Sequence, residues 1–297
     1  MKESTRIMLK KHGWRIDRAA HNYIYFAFYY PYVKIVQLFL VPLKRLTWIK
    51  PLQYVGDMAF NRYHGKVMSL EDAEKIFALD EDISAVSSAN KRIIPRKYAY
   101  KILFQEPACI AVMDCPCKLS YGAAPETINS CLAVGKGVAG FWLDHGAKYH
   151  ARKITQAEAL DLIKRLRKQG HITQAFFKVA TGGSTGVICN CHPDTCVSLK
   201  ASSITRHIRP DLSQSIESGY SVTCAAEQCK LCGICASSCH FGAVRVMDEA
   251  RTYDAAACLG CGLCVDDCPN KALKLFVDDA KSRPLDMDDV RDHLTSA

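Results

Sequence analysis

The chain has 297 residues, 49% of them apolar, which is enough for a packed core and, by length, about two domains. Its net charge is +9, yet residues 1–50 hold ten Lys/Arg (Lys2, Arg6, Lys10, Lys11, Arg15, Arg18, Lys34, Lys44, Arg45, Lys50) against Glu3 and Asp17, so the rest of the chain is almost neutral. The basic stretch lacks any helix-turn-helix, RRM or zinc-finger spacing, so nucleic acid is not an expected partner. Sixteen cysteines fall in tight clusters, and MKESTRIMLKKHGWRIDRAAHNY has neither an apolar stretch close behind its charges nor a small-residue cleavage site. The expectation is metal thiolates in the cytoplasm, not a secreted disulfide scaffold.

Residues 22–43, NYIYFAFYYPYVKIVQLFLVPL, carry Lys34 as their one charge and eight aromatic rings. Tyr dominates the first half, where a spanning helix would be rich in Leu, Ile and Val, and Pro31 and Pro42 are expected to interrupt the helix. Ile35, Leu38, Phe39, Leu43, Leu46 and Ile49 then recur at helical spacing. Tyr favours the headgroup level, and the flanking cations favour anionic lipid. The pattern predicts an interfacial helix on the inner membrane face. A single span, or an aromatic helix packed into its own domain or a partner, are the alternatives.

Ser69 is a candidate N-cap for a helix over 70–79. Residues 84–92 are polar and read as a linker, and a helix is expected after Pro95, followed by an apolar strand over 109–114. ITQAEALDLIKRLRKQG is a helix with a Thr155–Glu158 capping box and Gly170 at its stop. HITQAFFKVA and GVIC read as strands around the turn TGGSTG. GKGVAG (135–140) matches a dinucleotide-turn pattern, but FWLDHG reaches glycine too soon for the long helix required, so no nicotinamide dinucleotide is expected. No Ser/His/Asp or paired-carboxylate arrangement stands out, and no catalytic residue is assigned.

The strongest signal is a doubled run 29 residues apart: CKLCGICASSC places Cys229, Cys232, Cys235 and Cys239 at C-x2-C-x2-C-x3-C, and CLGCGLCVDDCP repeats it with Cys258, Cys261, Cys264 and Cys268. Three thiolates on one tight loop cap three irons of a [4Fe–4S] cube. In two-cluster ferredoxins the fourth cysteine of each run ligates the other cluster. This assigns Cys229, Cys232, Cys235 and Cys268 to one cluster, and Cys258, Cys261, Cys264 and Cys239 to the other. His240 stands where the second run has Pro269 and reads as a tolerated surface substitution, with a tuned potential as the alternative. Cys109 and Cys224 read as incidental thiols.

A second cysteine set precedes this one. Cys115-Pro-Cys117 follows an apolar strand, and C-x-C in extended backbone points both sulfurs to one side. Cys131 lies fourteen residues beyond Cys117, and Cys189, Cys191, His192 and Cys196 crowd the end of another expected strand. If those strands are neighbours, they assemble a third site. Cys115, Cys117, Cys131 and Cys191 are its first-choice ligands, with Cys189, Cys196 and His192 as alternates. A third iron–sulfur cluster is favoured, zinc or no metal being the other readings.

Several segments resemble a family of bacterial and archaeal 4Fe–4S dicluster ferredoxin-like proteins. They are Cys115-Pro-Cys117-Lys118, Cys131-Leu-Ala-Val-Gly135, Gly170-His171 with Ala175-Phe-Phe-Lys178, Cys189-Asn-Cys191, and the doubled run, together roughly 93–275. That family's CNC loop is more cysteine-rich than this one, which has His192, Pro193, Asp194 and Thr195 before Cys196. The resemblance implies electron transfer and names no substrate.

The expected fold is α+β. It has basic aromatic membrane-associating helices over 1–50, a helix and linker over 51–92, a small cysteine-rich α+β domain over 93–219, a two-cluster ferredoxin-like domain over 220–276, and an acidic, solvated tail over 277–297. The expected role is an electron carrier between redox partner proteins, peripheral at the cytoplasmic membrane face. The alternatives are an oxidoreductase or accessory subunit with chemistry at a middle-domain cluster, and a ferredoxin with a structural zinc module.

Overall fold

A computed structural model of the chain describes residues 2–12, 16–46, 48–51, 53–54, 56, 61, 63–85, 93–94, 102–178, 184–205, 213–248 and 250–295. Three helices open it: α1 (Glu3–His12), α2 (Ile16–Ala27) and α3 (Tyr29–Leu46). The break between α2 and α3 falls at Phe28, which corrects the interruption expected at Pro31 and Pro42. Pro31 lies in the first turn of α3, where a backbone N–H has no helical partner anyway. Pro42 is carried inside the helix at the loss of one backbone bond. Among the described residues no helix is long and apolar enough to cross a membrane.

β1 (Tyr63–Val67) leads into α4 (Leu70–Phe77) through Ser69. Ser69 Oγ accepts from the Asp72 N–H and the Asp72 carboxylate accepts from the Ser69 N–H, closing a capping box. β2 (Ile83–Ala85) pairs antiparallel with β3 (Ile102–Phe104). The helix expected after Pro95 is thereby corrected at its end, because Ile102 and Phe104 are buried from an extended backbone. Residues 95–101 lie outside the described residues.

The middle of the chain runs β4 (Ile110–Asp114), α5 (Pro116–Tyr121), α6 (Pro125–Ile128), β5 (Asn129–Val134), α7 (Lys136–His145), β6 (Arg152–Ile154), α8 (Gln156–Arg167), β7 (Ile172–Lys178), β8 (Ser184–Cys191), α9 (Val197–Thr205) and β9 (Ser215–Ile216). The Thr155–Glu158 capping box opens α8 as the spacing requires. α7 is the helix that the sequence reading denied to GKGVAG. The strand before it, β5, nevertheless pairs antiparallel with both β4 and β8, so no βαβ crossover surrounds that turn.

One seven-stranded sheet, ordered β6-β4-β5-β8-β7-β1-β9, organises these elements, antiparallel throughout except β1 with β9. It takes β1 from the segment expected as helix and linker. Strand side chains alternate between faces, and here the alternation separates two cores. Ile110, Val112, Leu132, Val134 and Ile188 face a core shared with α4 and α8. Ala111, Met113, Cys131, Ala133, Val187 and Cys189 face the other, shared with α7 and with Tyr29 of α3. The cysteines occupy the second face because Leu132 and Ile188 beside them occupy the first.

The remainder runs β10 (Tyr220–Cys224), α10 (Ile234–Ser237), β11 (Val244–Met247), β12 (Ala250–Tyr253), α11 (Leu263–Asp266), β13 (Leu273–Val277) and α12 (Met287–Thr295). β10 pairs with β13 and β11 with β12, both antiparallel. The tail is not the solvated helix expected. Leu285, Met287 and Val290 are buried in the core of α4, and Lys75 bridges Asp286 and Asp288 at 2.8 Å each.

Candidate metal centres

The cysteine-bearing face gathers six thiols. β5 and β8 pair so that Cys131 stands opposite Cys189, with 3.9 Å between sulfurs. Asn190 keeps Cys189 and Cys191 on one side of β8. Cys115 has the thiols of Cys117 and Cys131 as direct neighbours, Cys131 those of Cys115 and Cys189, and Cys191 those of Cys189 and Cys196. Cys117 lies in the field of Cys196, which closes the ring. Cys115 and Cys117 reach it differently from the extended C-x-C expected. Cys115 is the N-cap of α5, and Pro116, whose fixed φ suits a first helical position, turns the chain into a helix.

Each part of the ring is anchored from outside. Asp114, just ahead of Cys115, accepts from Asn129 at 2.9 Å and stands 2.6 Å from the His150 imidazole. The Tyr29 hydroxyl donates to the Asp114 carbonyl at 2.7 Å. Tyr25, Tyr29 and Tyr63 roof the thiols, and burial raises all three phenols, with the ring thiols adding to it. α2 and α3 are thus two-sided: Tyr25, Tyr29 and Val33 face inward, whereas Ile24, Phe28, Ile35 and Leu38 are exposed. Below the ring, buried Lys118 donates to the Thr127 carbonyl and to Ser130 Oγ.

In the C-terminal unit, Gly233 and Gly262 occupy the same place in the repeat, both in the left-handed conformation that starts a short helix. Cys229, Cys232 and Cys235 line one partly open pocket with Cys268 from the other run. Cys239 lies near Cys261 and Cys264. Burial pushes Cys261 up to about 11 and Cys264 higher, and surrounding thiols, Cys239 among them, add to both shifts. Ser238 Oγ donates to Asp267 at 2.6 Å, tying the two copies together at equivalent positions.

Residues 228–273 match the family model of the 4Fe-4S dicluster domain. No curated protein matches the chain. Residues 228–273 are thus a 4Fe–4S dicluster domain built for two such clusters, which supports an iron–sulfur electron-transfer role.

The dicluster domain docks on the thiol ring by its second loop. Leu259 and Leu263 lie in the same buried core as the six cysteines' face of the sheet. Arg167, at the end of α8, donates to Asp266 and to the Cys261 carbonyl, both at 2.7 Å. Gly260 has φ +67, and a Cβ there would strike Ser218 and Tyr220. The equivalent Leu231 of the first loop also has positive φ, yet stands in the open. Ile234 is 39% exposed and its counterpart Leu263 only 1%. One copy of the repeat faces the protein, the other faces out.

His192, an alternate ligand in the sequence reading, packs against two other imidazoles in tilted and edge-on geometry. Its imidazole sits 5.2 Å from that of His171 and 5.0 Å from that of His240. Burial holds His171 down at about 3 and lowers His192 as well, so both rings are neutral near pH 7. His240, read as a surface substitution, donates from Nε2 to the Gly170 carbonyl at 2.8 Å. Sequence reasoning missed the tyrosine roof, Lys118 and Arg167. The CPCK segment carried Lys118 in plain sight, whereas nothing local marks Arg167.

Among the described residues no group of three or more His, Cys, Asp or Glu side chains is arranged to hold one metal ion. The donor chemistry of the dicluster domain is all-thiolate and spread round two loops, which suits a four-iron cube.

Proposed function

We propose that the chain is a peripheral membrane electron carrier with three iron–sulfur clusters, two in the dicluster domain and one in the thiol ring. The observation that carries it is a single buried core in which the second ferredoxin loop, through Leu259 and Leu263, meets the face bearing Cys115, Cys131, Cys189, Cys191 and Cys196. When bound, [4Fe–4S] clusters take up and release single electrons at potentials set by charge, hydrogen bonding and exposure.

The residues of the chain do the rest. Cys229, Cys232, Cys235 and Cys268 would hold one cluster, and Cys258, Cys261, Cys264 and Cys239 the second. In the ring, Cys115, Cys117, Cys131 and Cys191 are assigned to the third, with Cys189 and Cys196 as the surplus pair. The C-x-C spacing of Cys115 with Cys117 and of Cys189 with Cys191 departs from the C-x2-4-C usual for structural zinc, which favours a cluster. The tyrosine roof keeps water from the ring, and the open first loop with exposed Leu231 and Ile234 is where a soluble redox partner would dock. The outer face of α2 and α3, with Ile24, Phe28, Ile35 and Leu38, would rest on anionic lipid of the inner membrane face. Each nearby basic residue would add about 1 kcal/mol there.

Iron, acid-labile sulfide and zinc per chain after anaerobic purification test the reading. About 12 irons support three cubes of four. About 8 irons with one zinc replaces the third cluster by a structural ion, and about 8 irons with Cys115, Cys117 and Cys191 freely alkylated ends the third site.

A further inference from the structure

Beneath the thiol ring lies a buried cation whose counter-charge is not a carboxylate. Lys118, directly after Cys117 on α5, is 1% exposed. Its ammonium donates to the Thr127 carbonyl and to Ser130 Oγ, each at 2.8 Å, and both acceptors are neutral. Ser130 is itself fully buried, and its carbonyl accepts from the Asn190 amide at 3.1 Å, which fixes the floor on which Lys118 rests. Among the described residues no carboxylate stands within ion-pair reach of Lys118. The Cys115 thiol and the imidazoles of His171 and His192 lie in its field. Neutral imidazoles supply no negative charge. An ammonium taken out of water without an anion costs far more than two neutral hydrogen bonds return. The anionic chemistry within reach is the thiolate ring.

We propose that Lys118 is the counter-cation of the third centre, balancing thiolate charge and raising the potential of that centre alone. This rests on the third-cluster reading. The physical ground is that a fixed positive charge favours the more negative, reduced state of a neighbouring centre, one of the levers by which surroundings tune a metal site. Lys118 is a positioning and charge-compensating residue, not a ligand, because its nitrogen carries no free lone pair while it donates.

The test compares wild type, Lys118→Met and Lys118→Arg in the full chain, by iron content and EPR-monitored redox titration. Lys118→Met keeps the shape and removes the charge. The expected result is about 12 irons, one potential moved to more negative values and two unmoved. Lys118→Arg retains the charge and should return the moved potential toward wild type. If Lys118→Met sheds about four irons, the arginine variant decides. Iron retained with Arg supports a charge role, and iron lost from both variants overturns it in favour of simple packing. Three unmoved potentials in Lys118→Met overturn it as well. About 8 irons in the wild type would remove the third centre and the role of Lys118 together, a result distinct from 12 irons with unmoved potentials.

Discussion

Arg167→Met should loosen the dicluster domain from the sheet without unfolding either. Arg167 is 2% exposed and makes two short bonds across the interface, to Asp266 and to the Cys261 carbonyl. Charge-assisted bonds of this kind contribute about 1.5–3 kcal/mol each. Against that, Nη1 of Arg167 is buried with no partner among the described residues, so the variant relieves roughly 1–3 kcal/mol of desolvation. The Asp266 side chain is 28% exposed and recovers part of its hydration when left alone. The net loss comes to about 2–3 kcal/mol, below the 3–5 kcal/mol typical of breaking a fully buried pair. Local opening of the second loop would then rise roughly 30- to 150-fold. Hydrogen exchange with mass spectrometry over residues 256–266 reads this directly. Removing both partners in Arg167→Met/Asp266→Leu should return most of the protection, because no charge is then stranded. Unchanged exchange in Arg167→Met, or a double variant looser than the single one, would refute the reasoning.

Cys268→Ser should damage the cluster of the distant 229–235 loop and spare the 258–264 one, since Cys268 lines the cavity of the former; EPR confining the loss to the local loop counts against cross-ligation. Full-length protein should float with anionic liposomes and be released by salt, while Phe28→Glu/Ile35→Glu/Leu38→Glu should stay behind with its inward tyrosines untouched; equal flotation of the two proteins argues that this face meets something else. Lys66 is buried in β1, and burial holds its pKa at about 7 although Glu217 and Asp72 pull it up. Lysine in the unfolded chain titrates near 10.4, so unfolding takes up a proton between those values and stability rises with pH across that window. Lys66→Met should flatten a rise of about 1 kcal/mol per pH unit, measured as unfolding midpoints at pH 7, 8 and 9; an unaltered slope would assign the dependence to other groups.

What could be read from the sequence was whatever depends on near neighbours. Ser69 with Asp72 and Thr155 with Glu158 are capping boxes because three residues separate the partners, and the 29-residue repeat was visible for the same reason. The meeting of Cys131 with Cys189 was legible as a condition: two period-2 strands would bring them together if adjacent, and β5 and β8 are adjacent. Pro116 could have been read as a helix start, which would have placed Cys117 correctly. Leu285, Met287 and Val290 are too few and too close to charges to reveal that α12 docks. Lys66, Lys118 and Arg167 look like ordinary surface cations in sequence. Their burial follows from what lies across the sheet or interface, Ser282, Ser130 and Asp266, and no local pattern encodes that.

The unequal burial of the two repeat copies also sorts the cysteines by chemical vulnerability. Of sixteen, Cys232 alone is exposed. A reagent or oxidant arriving from water meets the first loop first, because Cys232 and its neighbours Leu231 and Ile234 are exposed. Its counterpart, Cys261, stands behind Arg167 and the buried Leu259 and Leu263, and the ring thiols behind three tyrosines. Damage in this protein therefore has a direction, from the outer loop inward, and the interior thiols are the last to be lost.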